Sequence, residues 1–191
     1  MTIGSGTTSI GGYAFSGCTN LPIIDNIRYA DTFAIEAVDE TLTEYIFKSG
    51  TKWIGDFSFD GCFSLTSITI PNGVISIGVA AFQWCESLTN ITIPDSVTSI
   101  GDNAFCKCSG ATSLSIGSGV TSIGNDAFTS CSGLTNITSL ATIAPTIQYD
   151  TFQNIKTNGT LTVPIGSSGY DVWMGTGDYY LGKYNWTKVE Q

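Results

Sequence analysis

The 191-residue chain contains no histidine, and only 7 of its residues are Lys or Arg. Without histidine it lacks the commonest general base at neutral pH and the usual partner of a Ser or Cys nucleophile. So few cations, in a chain of net charge −9, do not easily build the basic face that neutralises phosphates. A nucleic-acid partner is therefore not expected, and an anionic membrane surface is disfavoured for the same reason. No apolar run is long enough to span a bilayer, so membrane insertion is not expected either. The N-terminal MTIGSGTTSIGGYAF has neither the basic nor the apolar region of a signal peptide. Charged residues make up 12% of the chain and hydrophobic residues 42%. Ser, Thr, Gly and Asn fill the place of the missing charge, a composition that suits strands and turns better than long helices. The acidic residues are scattered and read as solubilising charge. Their one local excess is Asp25, Asp31, Glu36, Asp39 and Glu40.

What is present is a repeat. The pattern Ile-Gly-x-x-x-Phe-x-x-Cys occurs at Ile10–Cys18, Ile54–Cys62, Ile77–Cys85, Ile100–Cys108 and Ile123–Cys131. The last four copies start 23 residues apart, and such periods signal stacked repeat units. The gap from Ile10 to Ile54 is close to two units. Its extra chain lies between Leu21 and Leu42, in PIIDNIRYADTFAIEAVDET. A degenerate sixth copy places Ile147 and Phe152 one residue out of step, and the strand-like Thr160–Pro164 follows it.

Each unit reads as a coil with one apolar side. In Leu88–Pro94, Ile91 and Ile93 alternate with Asn90 and Thr92, the period of a half-buried strand. Pro94 ends that strand, Asp95-Ser96 turns the chain, and Val97–Ile100 forms a second short strand. Gly101 turns it again, and Asp102 is placed to cap a short helical segment. A coil of this kind buries its apolar side only by stacking on copies of itself. Stacking predicts ladders at about 4.8 Å: Phe15, Phe59, Phe82, Phe105 and Phe128 in one, and Ile68, Ile91, Leu114 and Ile137 in another.

The expected fold is an α/β repeat solenoid, strand-rich with short helical segments. The solenoid spans residues 1–164, with a β-hairpin inserted at 22–41. Residues 165–191 have lost the repeat and carry Tyr170, Trp173, Tyr179, Tyr180, Tyr184 and Trp186, as a terminal cap would. Met1 aligns with Leu114, in the middle of a repeat. The chain thus reads as part of a longer array, or as one whose open first edge packs end to end on something.

LTSITIPNGVISIGVAAFQWC (Leu65–Cys85) and LTNITIPDSVTSIGDNAFCKC (Leu88–Cys108) resemble the BspA-like leucine-rich-repeat family of bacterial surfaces. The likeness covers roughly residues 1–164. It implies a leucine-rich-repeat solenoid at or outside the cell surface that adheres to a host or matrix protein or a glycan, with no catalytic residues and no cofactor. A spacer displaying another domain is the alternative, and a carbohydrate-active enzyme a remote one.

Three groups of residues invite a sharper reading. Cys18, Cys62, Cys85, Cys108 and Cys131 share one repeat position, with Cys106 beside them. Buried thiols, a disulfide between coils and a metal site are the choices. Buried thiols are favoured, because free Cys packs as a small apolar residue and no His or Cys-x-x-Cys supports a metal. Asp56, Asp102 and Asp126 offer carboxylates, but recurrence in every coil points to capping and turn chemistry rather than glycoside hydrolysis. Ser67, Thr69, Asn90, Thr92, Ser113 and Ser115, continued by Asn136 and Thr138, form an outward polar face that is either simply solvated or a binding surface. The hairpin residues Arg28, Tyr29, Asp31, Phe33 and Glu36 are a contact-surface mixture on a loop, or else a decoration covering the side of the array. Asn90, Asn136, Asn158 and Asn185 stand in Asn-x-Ser/Thr sequons, which arise by chance in so Ser/Thr-rich a chain.

Overall fold

A computed structural model describes residues 2, 7, 14, 15, 17–148, 150–177 and 180–191. Ile10, the edge expected near Met1, and Tyr179 lie outside the described residues. The fold is a β-solenoid of about seven turns, strand-rich with few helices.

The first strands are β1 (Ile23–Ile24), β2 (Ile27–Ala30) and β3 (Phe33–Ala37). The two-residue strands β4 (Trp53–Ile54) and β5 (Ser76–Ile77) follow. Two strands then alternate in each coil: β6 (Asn90–Ile93), β7 (Ser99–Ile100), β8 (Ser113–Ile116), β9 (Ser122–Ile123) and β10 (Asn136–Ser139). The last elements are β11 (Thr160–Val163), a four-residue helix α1 (Tyr170–Trp173) and β12 (Thr187–Glu190).

Two sheets run along the stack. One has the order β6-β8-β10-β11-β12, the other β1-β2-β3-β4-β5-β7-β9. The first is parallel throughout, and Ile91, Leu114, Ile137 and Leu161 align one above another. The expected Ile ladder begins late, because the Leu65–Ile70 segment makes no strand and Ile68 is only half-buried. In the second sheet, Ile54, Ile77, Ile100 and Ile123 align with Ala34 of β3.

The chain between the sheets differs from expectation. The segments after each repeated glycine are turns rather than helices. Asp56 and Asp102 cap no helix: each accepts a backbone N–H from the next coil, Val79 at 2.7 Å and Asn125 at 2.7 Å. Two residues per coil take the left-handed conformation, Phe57, Ala80, Asn103 and Asp126 in one set and Trp84, Lys107, Ser130 and Asn154 in the other. With this geometry every second N–H points at a carbonyl of the following coil. Ala80, Phe82 and Trp84 donate to Asp102, Ala104 and Cys106; Asn103, Phe105 and Lys107 donate to Asn125, Ala127 and Thr129. At the far end Asn154 donates to the Tyr184 hydroxyl at 2.9 Å, where no carbonyl takes that place. Gly101 sits where coils touch: a Cβ there would stand 2.6 Å from the carbonyl carbon of Gly78.

The core holds the ring ladder. Phe59, Phe82, Phe105, Phe128 and Phe152 stack with centroids 5.0, 5.1, 5.6 and 5.7 Å apart. Phe152 thus joins despite its shifted spacing. Phe15 does not: it lies 5.8 Å from Phe33, in a separate cluster with Trp53, and Tyr45 and Phe47 cover the open face of Phe59 instead. Cys62, Cys85, Cys108 and Cys131 are buried free thiols, and Cys106 is buried beside them. Cys85, Cys108 and Cys131 donate to the carbonyls of Phe59, Phe82 and Phe105. Burial pushes all four ladder thiols up, Cys62 to about 11. Cys18 was expected in this ladder but is exposed.

β12 pairs parallel with β11 over Thr160–Val163, so the C-terminal residues extend the sheet by one more strand. Their aromatics reach back to earlier coils. The Tyr170 hydroxyl donates to Ala141 O and shares a second hydrogen bond with the Ser139 hydroxyl, Trp173 donates to Pro145 O, and Trp186 to Lys156 O.

Candidate functional site

The outward face of the parallel sheet is built by alternation. Ile91, Ile93, Leu114, Ile116 and Ile137 point inward and are buried, so Asn90, Thr92, Ser113, Ser115, Asn136 and Thr138 point out. Register-locked pairing turns these into two rows. One runs Asn90, Ser113, Asn136, Thr160, Thr187; the other runs Thr92, Ser115, Thr138, Thr162, Val189. Asn90 and Thr92 are exposed, and Ser113 and Ser115 are half-buried. Ser67 and Thr69 are exposed as well, but on the unpaired segment before β6.

Parts of the face are already tied. Ser113 Oγ donates to Asn90 Oδ1 at 2.6 Å, and the Asn136 amide donates to Thr135 Oγ1 at 2.9 Å. A rail of threonines lies at the strand starts: Thr66, Thr89, Thr112 and Thr135 each donate a hydroxyl to the carbonyl 23 residues earlier. At the other end of the strands a groove of about 410 Å³ runs past Pro71, Pro94, Gly117 and Leu140, with Thr69, Thr92 and Ser115 on its wall. Leu140 is 48% exposed there. The one acid in this lining is Asp95, whose carboxyl is held below the usual range by the backbone N–H and hydroxyl of Ser118. The rigid surface offers hydroxyls and amides at fixed spacing with little charge. Thr160, Thr162 and Thr187 belong to the rows but escape a search by repeat, since the spacing changes after residue 139. The signal for them was the Thr-Leu-Thr-Val alternation before Pro164.

The hairpin residues are placed differently. β2 and β3 pair antiparallel, and β3 continues into the array by parallel pairing with β4. Tyr29 is fully buried, and its hydroxyl accepts the Lys48 N–H at 3.1 Å. Arg28 is 9% exposed; it grips Glu36 at 2.6 Å and the carbonyls of Thr19 and Leu21. Phe33 packs between Phe15 and Trp53. These three are buried, because β2 and β3 lie within the sheet instead of projecting from it. Glu36 is exposed and Asp31 half-buried. The carboxylates Asp56, Asp102 and Asp126 are occupied in different coils, the last by Thr129 Oγ1 at 2.8 Å.

No curated protein matches the chain. Among solved structures it is similar to a leucine-rich repeat protein from Bacteroides ovatus, with 28% identity and a TM-score of 0.56. The match covers 75% of this chain and 41% of that one, so the chain spans well under half the length of that relative. It also shares the fold of the T. pallidum leucine-rich repeat protein, with 21% identity and a TM-score of 0.62, over 76% of this chain and 72% of that one. Neither comparison indicates a catalytic family. Residues 1–62 and 38–159 match the BspA type leucine rich repeat region in six copies, and the chain belongs to that family.

Proposed function

We propose that the chain is a non-enzymatic binding domain of a secreted or surface-displayed bacterial protein, and that it recognises a protein or a glycan through the outward face of its parallel sheet. One observation carries this reading: five strands in strict register hold two outward rows in fixed positions, all Asn, Ser or Thr except Val189. A surface already ordered loses little entropy when it binds, which favours recognition by many small polar contacts. In this reading residues 1–164 are the solenoid, with a hairpin inserted at 22–41, and residues 165–191 are its C-terminal cap.

The test is binding of the purified domain to arrayed glycans and extracellular-matrix proteins, beside Thr92→Arg and Ser115→Arg variants. Both substitutions place bulk on the face without touching the core. Binding that the variants lose supports the reading. Binding that both variants retain moves recognition elsewhere on the molecule. Absence of binding by either protein favours a spacer that displays another domain.

A further inference from the structure

Asparagine followed by glycine is a reactive pair. The glycine backbone nitrogen can attack the asparagine side-chain carbonyl carbon, because a residue without Cβ lets the two approach closely. Among the chain's asparagines only Asn72 and Asn158 precede a glycine. The fold places these two pairs in opposite surroundings.

Asn72 and Gly73 are the central residues of the turn Pro71–Val74, closed by the Val74 N–H, which donates to the Pro71 carbonyl at 3.2 Å. Both are exposed. Gly73 has φ +117, and a Cβ there would meet nothing within 4 Å, so the turn has room to move. The Gly73 N–H donates to Ser96 Oγ at 2.9 Å, and that hydroxyl donates to Val74 O at 2.8 Å. Asn158 is held on every side. It takes the left-handed conformation at φ 61, and its own N–H donates to Tyr184 O at 2.9 Å. Its Oδ1 accepts the Asn185 amide at 2.6 Å. Gly159 is buried, and a Cβ on it would stand 2.3 Å from the Trp186 ring. The Gly159 carbonyl accepts the Thr187 N–H at 3.0 Å, where β12 begins. The Asn158 side chain cannot swing onto the Gly159 nitrogen without first giving up these contacts.

A carboxylate fits the turn at residue 72. Asp95 holds the equivalent place in the next coil, exposed, in a turn closed by the Val97 N–H to Pro94 O at 3.1 Å. Asn72 and Asp95 both line the groove of about 410 Å³ beside the parallel sheet, whose lining includes no Lys or Arg. Loss of the Asn72 amide would put a second, uncompensated negative charge there.

We propose that Asn72 is a site of self-deamidation whose rate the Ser96 hydroxyl sets. The Gly73 nitrogen gives its proton to solvent base and attacks Asn72 Cγ. The N–Cγ bond forms, the Cγ–Nδ2 bond breaks, and ammonia leaves with a proton from water. Water then opens either C–N bond of the cyclic imide, giving aspartate if the Cγ–N bond breaks and isoaspartate if the backbone C–N bond breaks. The net change is water in and ammonia out, with no oxidation. The Gly73 N–H must leave Ser96 Oγ before it can react, so that bond is a brake. One net hydrogen bond of this kind holds back the open form about two- to tenfold.

The experiment incubates the whole chain in warm, mildly alkaline buffer and follows each asparagine by peptide mass spectrometry, beside the chain in denaturant and a Ser96→Ala variant. The expected result in the native chain is conversion at Asn72, to a mixture of aspartate and isoaspartate, while Asn158 keeps its amide. In denaturant both pairs convert. Ser96→Ala is expected to raise the native rate at Asn72 about two- to tenfold. Native Asn158 converting as fast as Asn72 overturns the proposal. So does an Asn72 that keeps its amide for as long as the denatured chain takes to lose it, or a Ser96→Ala rate equal to the parent's.

Discussion

Replacing Phe105 by Ala tests the stack at its centre. Phe105 is fully buried, with Phe82 at 5.1 Å on one side and Phe128 at 5.6 Å on the other. Phe→Ala in a core costs roughly 3–5 kcal/mol, the larger values where the surroundings cannot collapse. Collapse is hindered here, because the coils above and below are held by backbone bonds on both sheets and along the turns. Each lost ring contact adds about 0.5–1.5 kcal/mol beyond area burial. The expected loss is therefore in the upper part of the range, about 4–5 kcal/mol. That is a large share of the ~5–15 kcal/mol of an ordinary domain. Equilibrium urea unfolding, followed by circular dichroism and tryptophan fluorescence together, measures it, and coincident transitions license a single free energy. A double variant with Phe128→Ala should depart from additivity by about 0.5–3 kcal/mol, because the two sites share one cavity. A loss below about 1 kcal/mol for Phe105→Ala, or strict additivity of the pair, refutes the stacked-ring account.

Other perturbations separate face from core. Thr92→Ala, on the outward row, should change unfolding free energy by no more than about 0.5 kcal/mol, and a large loss in the same urea assay would mean that face is packed. Gly101→Ala should cost about 3 kcal/mol, the top of the overpacking range, since its Cβ meets backbone 2.6 Å away; a melting temperature equal to the parent's refutes the tight joint. Alkylation of the native chain near pH 8 should label Cys18 and spare the five buried thiols, with all six labelled in denaturant; mass spectrometry counts the adducts, and rapid native labelling of Cys108 would contradict its burial. Stability should fall at alkaline pH. The ladder thiols have folded-state values raised by burial, so their contribution is whole below the ordinary thiol value near ~8.5 and is lost as pH rises through the folded value, about 11 for Cys62. Each deeply buried thiol adds a slope of at most about 1.4 kcal/mol per pH unit. A flat unfolding free energy across that window refutes the linkage.

The repeat was legible because spacing is a property of sequence alone. Once four copies stood 23 residues apart, the rows, the thiol ladder and the Phe59–Phe128 stack followed from placing copies above one another. Phe152 joined the stack because one extra residue is absorbed in a turn, which strict counting does not allow for. Cys18 and Phe15 match the motif as well as any copy, yet Phe33 and Trp53 capture Phe15 outside the core. Which copy stacks is decided by competition among aromatics, and periodicity is blind to that. Arg28 and Tyr29 looked like surface chemistry because their types are common at contacts. The structure buries both, since β3 takes a strand position in the array and β2 pairs on it. The turns read as helical starts because Asp after Gly suits an N-cap. The same carboxylate serves better by capping the next coil, an interaction 23 residues away that no local window shows.

The one-way run of turn hydrogen bonds makes each coil a plank with a tongue on one edge and a groove on the other. N–H groups of Ala80, Phe82 and Trp84 form the tongue, and the carbonyls of Asp102, Ala104 and Cys106 the groove. Among the described residues the joint recurs from Phe57 to Lys107. Planks can be added or removed by whole units during gene duplication without recutting a neighbour, but no plank can be reversed, and the two ends of the floor need different mouldings. Tyr184 is the moulding at one end, a phenol standing where the next carbonyl would have been.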